Sequence, residues 1–197
     1  ELRQDLFNVA TTSGAKGIGA ELEGSQGVQA ELPEALPLEA LQSGSWYYVL
    51  HIEDDLVEAY HYLTDLGLTR DSIFQLQTLE SGICRLYYEG EAYELPAQFL
   101  SSLHLRLATP QELKESHAAE VRRLSTLAPD ESSTVLGLSP SCRGPMRRRL
   151  MDLGFVRGSQ ISVEMRSPLG NPTAYIVRGA AIALRRDQAR YILIQDP

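Results

Sequence analysis

The sequence predicts a mainly β protein with short helices, arranged as two tandem small barrels. Three observations carry this. Residues 63–72 read Leu-Thr-Asp-Leu-Gly-Leu-Thr-Arg-Asp-Ser and residues 150–159 read Leu-Met-Asp-Leu-Gly-Phe-Val-Arg-Gly-Ser, so six of ten positions are identical at a separation of 87. Upstream, Leu38, Leu41, Val49 and Leu50 are echoed by Leu124, Leu127, Val135 and Leu136 at a separation one residue shorter, which marks one unit written twice. Each repeated segment is followed by period-two alternation and more short apolar runs. Five strands and one helix in about 65–70 residues most economically make a small closed barrel.

Taken in order, residues 1–35 are rich in Gly, Ser and Glu without a sustained apolar period and read as a linker or loosely ordered lead-in. Their Gly-rich stretch has no preceding apolar strand and no following Lys-Ser/Thr, so it does not read as a phosphate loop. Copy one spans 36–108. Trp46 to Ile52 suits a strand, Glu53, Asp54 and Asp55 place acids where a helix amino terminus is expected, and Leu56, Ala59, Leu63 and Leu66 form an apolar helical stripe that Gly67 closes. Phe74 and Leu76 then alternate with Gln75 and Gln77, and short strands are expected over Cys84 to Tyr88 and around Tyr93 and Leu95, with a turn at Gly90. Residues 109–123 are a linker, partly helical through a weak stripe of His117, Val121 and Leu124. Copy two spans 124–197. Pro145 suits its first helical turn, Met146, Leu150 and Leu153 form the stripe, and Gly154 is the stop. Ile161, Val163 and Met165 alternate with Ser162 and Glu164, then Tyr175 to Val177, Gly179, and Ile182 with Leu184 complete the pattern.

Composition limits the functional classes. The 197 residues are 43% apolar with a formal net charge of −8, and no apolar run reaches the length of a membrane-spanning helix. Cys84 and Cys142 form no CxxC pair and read as reduced, cytosolic thiols. Charge is divided: from residue 134 onward the balance is +6, against −14 before it. That basic portion is either a solvated surface or a face that docks on an acidic partner, the acidic copy of the same chain included. No Gly-x-Ser-x-Gly, His-Glu-x-x-His or Walker sequence occurs and the four histidines are dispersed, so an enzyme is not expected.

Two groups are candidate sites. Arg147, Arg148 and Arg149 fall on the polar side of the second helix, with Arg157, Arg185 and Arg186 nearby in sequence-predicted turns or the last strand. Guanidinium groups pair bidentately with carboxylates or phosphates, so these six are either a solvated surface or a partner-binding face, for an acidic protein surface ahead of nucleic acid. His51, Asp54, Glu58 and His61 belong to the dense cluster of nitrogen and oxygen ligands and are the candidate metal ligands, with Glu58 and His61 a helical three-residue step apart.

Arg149-Leu150-Met151-Asp152-Leu153-Gly154-Phe155-Val156-Arg157-Gly158-Ser159, then Ser167-Pro168-Leu169-Gly170-Asn171-Pro172, then Val177-Arg178-Gly179 and Ile182-Ala183-Leu184-Arg185-Arg186 resemble the FeoA family, ferrous iron transport protein A. Copy one resembles it more weakly and lacks the proline-glycine hexapeptide. The resemblance implies Src-homology-3-like β-barrels with an inserted helix and a non-catalytic regulatory role in bacterial iron or manganese homeostasis. The implied partner is the cytosolic domain of a FeoB-like ferrous iron transporter or the remainder of a longer chain, and a homo-oligomer is a further expectation. A divalent transition metal, iron or manganese, is the implied ligand. Because the same module forms the carboxyl-terminal domain of metal-dependent repressors resembling the diphtheria toxin repressor, the alternative is a metal-sensing region of such a repressor. Direct DNA contact is not expected of this segment. The chain begins at Glu1 rather than Met, and we read it as a piece of a longer protein.

Overall fold

The computed structural model describes residues 35–196; the predicted lead-in lies outside them. Eleven strands and four helices follow one another as β1 (Trp46–Ile52), α1 (Val57–Asp65), β2 (Ile73–Glu80), β3 (Ile83–Tyr88), β4 (Glu91–Pro96), β5 (Leu103–Leu107), α2 (Pro110–Ser116), β6 (Val121–Arg123), β7 (Ser132–Leu138), α3 (Gly144–Asp152), β8 (Gln160–Arg166), β9 (Thr173–Val177), β10 (Ala180–Leu184), α4 (Arg186–Ala189) and β11 (Ile192–Gln195). Strands thus dominate and helices are short, as expected. Among the described residues no helix is long and apolar enough to cross a membrane.

Two antiparallel sheets result, ordered β4-β3-β2-β1-β5 and β10-β9-β8-β7-β11-β6. Apart from β6, the second order repeats the first element for element. The irregularities recur too. The β2–β3 ladder skips Gln77 and the β8–β9 ladder skips Glu164; β1–β5 skips Leu50 and β7–β11 skips Leu136. Such bulges bend and twist a strand at a fixed point. Each hairpin after them turns through two consecutive positive-φ residues, Glu89 (50°) with Gly90 (83°) and Arg178 (50°) with Gly179 (79°), the backbone that tight hairpins of this twist require.

Each half has its own core. Tyr47, Val49, Leu63, Phe74, Leu76 and Leu86 are buried in the first, Val135, Leu150, Phe155, Ile161, Val177 and Ile194 in the second. The helices meet these cores through fewer residues than their stripes predict. Ala59 and Leu63 are buried in α1, but Leu56 precedes the helix and is exposed, and Leu66 is only half buried. The acids Glu53, Asp54 and Asp55 likewise lie ahead of the α1 cap at Leu56, and the first-turn acid is Glu58. Met165, expected inward with Ile161 and Val163, is 66% exposed, because the bulge at Glu164 reverses the alternation beyond it.

Two further expectations are corrected. Among the described residues no ladder joins β4 to β5 or β10 to β6, so the sheets are open where closed barrels were expected. Between β4 and β5 the chain instead makes the 3-10 stretch Ala97–Ser102, which sends Phe99 and Leu100 into the core. The helical stripe of His117, Val121 and Leu124 is not formed. His117 adopts a left-handed conformation (φ 54°) that ends α2, and Val121 enters β6 opposite Gln195.

Candidate functional site

Of the six expected partner-binding arginines, Arg147, Arg148 and Arg149 are exposed on α3, whose buried side is Leu150. Arg147 is partly engaged, donating from Nη1 to the carbonyls of Ser139 (3.3 Å) and Cys142 (3.4 Å). Arg157 lines a small pocket with Glu89 and Val121, at the junction of the halves. Arg185 and Arg186 are exposed at the start of α4. The six therefore do not all serve one element.

The expected metal ligands lie on β1, on α1 and, for Asp54, on the segment between them. His51 faces His104 across the β1–β5 ladder, rings 5.7 Å apart, and His104 bonds Glu53 at 2.6 Å, while Glu58 and His61 stand exposed on α1. Among the described residues no group of three or more His, Cys, Asp or Glu is placed to hold a metal ion. Cys84 and Cys142 are buried free thiols, one in each core. Burial pushes the Cys84 thiol up to about 11 and Cys142 upward as well.

The most developed polar constellation lies where the halves meet, and it was not singled out by residue type. Arg123, on β6, is 2% exposed. Its Nε donates to the carbonyl of Glu89 (2.6 Å), Nη2 to the Glu89 carboxylate (3.2 Å) and to Tyr93 Oη (3.4 Å), and Nη1 to the carbonyl of Arg190 (3.0 Å). Ser139 Oγ donates to the same Glu89 oxygen at 2.6 Å. Beside them Arg190 grips Glu91 through Nε (2.9 Å) and Nη2 (2.5 Å), and Tyr93 Oη adds a bond at 2.8 Å. These are acids of the first half met by cations of the second.

The two glutamates respond differently. Burial raises the Glu89 carboxyl, and the Ser139 bond and Arg123 charge offset that only in part. Burial also pushes Glu91 upward, but its bonds from Arg190 and Tyr93 and the nearby Arg123 outweigh it and hold the group below its ordinary value. Glycine sets the closeness of the contact. A Cβ on Gly90 would stand 2.8 Å from the Val121 carbonyl oxygen, and one on Gly67 would stand 3.0 Å from the Ser141 nitrogen. A cleft of about 480 Å³ opens beside the paired arginines, lined by Tyr62, Asp65, Tyr93, Asp187 and Tyr191 among others. The division of charge at residue 134 covers Arg190 but leaves Arg123 on its acidic side, and nothing in the local pattern around Arg123 distinguishes it from a surface arginine.

The model described as the FeoA domain matches residues 112–196, from within α2 to the last described residue of the chain. The Fe(2+) transport protein A/Fe(2+) transporter FeoB fusion protein of Porphyromonas gingivalis is 32% identical over 73 residues, 37% of this chain. The chain spans only 8% of that relative's length. Among solved structures, the FeoA-like protein of Clostridium acetobutylicum is 32% identical, covering 39% of this chain and 87% of its own, with a TM-score of 0.36. The FeoA of Stenotrophomonas maltophilia, a procaryotic SH3 domain protein complexed with zinc, is 28% identical over 37% of this chain and 88% of its own, with a TM-score of 0.34. Residues 112–196 of this chain thus match the FeoA domain.

Proposed function

We propose that this chain is a tandem of two FeoA-like, Src-homology-3-type units, residues 36–108 and 124–197 joined by 109–123, acting without catalysis as an accessory of ferrous iron transport. The repeated strand order and the repeated bulges support the tandem reading. The observation that carries the functional reading is the exposed Arg147-Arg148-Arg149 run on α3 of the FeoA domain: among the described residues none of the three is in an ion pair. Unpaired guanidinium groups on a rigid helix suit an acidic protein surface. The Porphyromonas gingivalis relative, in which transport protein A and FeoB are one polypeptide, supports the cytosolic domain of a FeoB-like transporter as the owner of that surface.

Titration calorimetry of the chain against such a cytosolic domain tests this, with duplex DNA in parallel. Replacing Arg147, Arg148 and Arg149 by Glu is expected to weaken binding at least about tenfold while leaving the circular dichroism spectrum unchanged. Binding of the unsubstituted chain should fade with salt, since exposed charges are screened beyond about 8–10 Å. Unchanged affinity in the triple variant rejects this face, and tighter retention of DNA than of the protein domain favours the repressor reading.

A further inference from the structure

The first half presents a specific surface to the second: the Glu89–Gly90 hairpin, Glu91 and Gly67. The second half has the same surface and leaves it uncovered. Its hairpin is Arg178–Gly179, an added Cβ at Gly179 would meet nothing within 4 Å, and Arg178, Gly179, Ala180, Ala181 and Ala183 are exposed. The receiving surface is duplicated in part: β6, which carries Arg123 and Val121, has no counterpart strand in the first sheet, but the segment after β7 does. In the second half it includes Ser139 and Ser141, which follow β7; because Leu138 pairs with Ile192 as Ile52 pairs with Leu103, the counterpart of Ser139 is Glu53, followed by exposed Asp54 and Asp55.

The charges that meet the two hairpins are opposite in sign but do not stand at equivalent positions, since by the same register Arg190 answers to Ser101 and the acids answer to the segment from Ser139. Inside the chain an acidic hairpin meets Arg123 and Arg190. The uncovered hairpin is led by Arg178, and the receiving segment of the first half offers exposed Asp54 and Asp55 beside Glu53, which His104 already bonds at 2.6 Å. Both pairs are complementary in charge, so a second hairpin contact of this kind can form between chains. We propose that a second copy of this chain docks head to tail, the Arg178–Gly179 hairpin of one on the Glu53–Asp55 segment of the next. This rests on the equivalence of the two halves and is independent of any transporter. Such a contact is heterologous: each chain carries one hairpin and one receiver left over, so association continues past a dimer into a ring or a filament.

One rearrangement is needed. The Arg178 stem lies over Gly154, its Cδ 3.0 Å from where a Cβ would be, so it covers the place that Ser141 takes against Gly67. The far end of a flexible side chain swings away cheaply, and the carboxylates opposite reward the move. Within the chain a short connection supplies an effective concentration in the millimolar range, so the contact between chains is expected to be weak at micromolar concentration.

Sedimentation of the full chain at low salt, at concentrations up to about 1 mM, tests the proposal. The expected result is association beyond the dimer that grows with concentration and is lost at high salt. Arg178→Glu alone, and Asp54→Arg with Asp55→Arg alone, should each lower the association constant at least about tenfold. Mixing these two variants should restore it, because each then offers the other a complementary pair, and the melting temperature of each variant serves as the folding control. A chain that stays monomeric throughout, an assembly that stops at the dimer, or variants that remain dissociated when mixed would overturn the proposal.

Discussion

At Arg123 one guanidinium holds three chain segments: the Glu89 turn, Tyr93 on β4 and the Arg190 carbonyl. With the Arg123 and Glu89 side chains only 3% and 11% exposed, the pair has lost its water and depends on its own bonds. Breaking such a pair on one side strands a charge, whereas replacing both sides removes the burden. Arg123→Met should therefore cost about 3–5 kcal/mol, and adding Glu89→Gln should recover part of the loss, as urea midpoints will show. A double variant no better than the single would mean that the stranded glutamate is not the source of the cost. Cys84 makes a second prediction from burial. With its thiol raised to about 11 it carries almost no thiolate at pH 8, so an aromatic disulfide reagent should leave it unmodified in the native protein and react once urea unfolds the chain.

Among the elements, α3 combines one buried anchor with an exposed cationic side. Leu150→Ala should cost about 2–5 kcal/mol, as truncations in packed cores do, while Arg148→Ala should stay within about 0.5 kcal/mol. Equal denaturation midpoints would place the helix face wrongly. Helix α2 is fastened by a capping box, with Thr109 Oγ1 accepting from the Glu112 nitrogen and the Glu112 carboxylate accepting from the Thr109 nitrogen. The same carboxylate takes two bonds from Arg106, whose guanidinium lies 3.9 Å from the centre of the Tyr48 ring. Hydrogen bonds from Arg106 and then from the Thr109 backbone lower Glu112 from 4.5 to about 2. A carboxyl depressed on folding contributes stability that is full above its unfolded value and lost as pH falls through the folded one. The stability difference between the protein and Glu112→Gln should accordingly be constant above pH 4.5 and shrink between 4.5 and about 2. A difference that does not change over that window removes the ion pair from the account.

Across the whole molecule, two cores are joined through a polar contact whose closeness depends on glycine. Gly90 and Gly179 occupy the same hairpin position with φ of 83° and 79°, so alanine at either meets the same backbone cost of roughly 1–2 kcal/mol. Only at Gly90 does the new Cβ also meet the neighbouring half, 2.8 Å from the Val121 carbonyl oxygen. Gly90→Ala should therefore destabilise more than Gly179→Ala, and amide exchange should quicken in β6 for the first variant alone. Equal effects would mean that the halves part without loss of stability.

The sequence by itself determined the class of structure, mainly β with short helices, because alternation, helical spacing and turn glycines are local. It also determined that the second helix is basic on its solvent side and that the halves are opposite in charge. Tertiary structure decided what those charges do. Arg123 and Glu89 are 34 residues apart, and no periodicity separates an arginine that will be buried against a carbonyl from one that will face water. Bulges at Gln77 and Glu164 depend on the partner strand, so the exposure of Met165 could not follow from alternation. The open sheets, the end of α2 at His117 and the pairing of Glu53 with His104 near β1 have the same origin: each depends on which segment packs alongside, a long-range choice that local pattern does not contain.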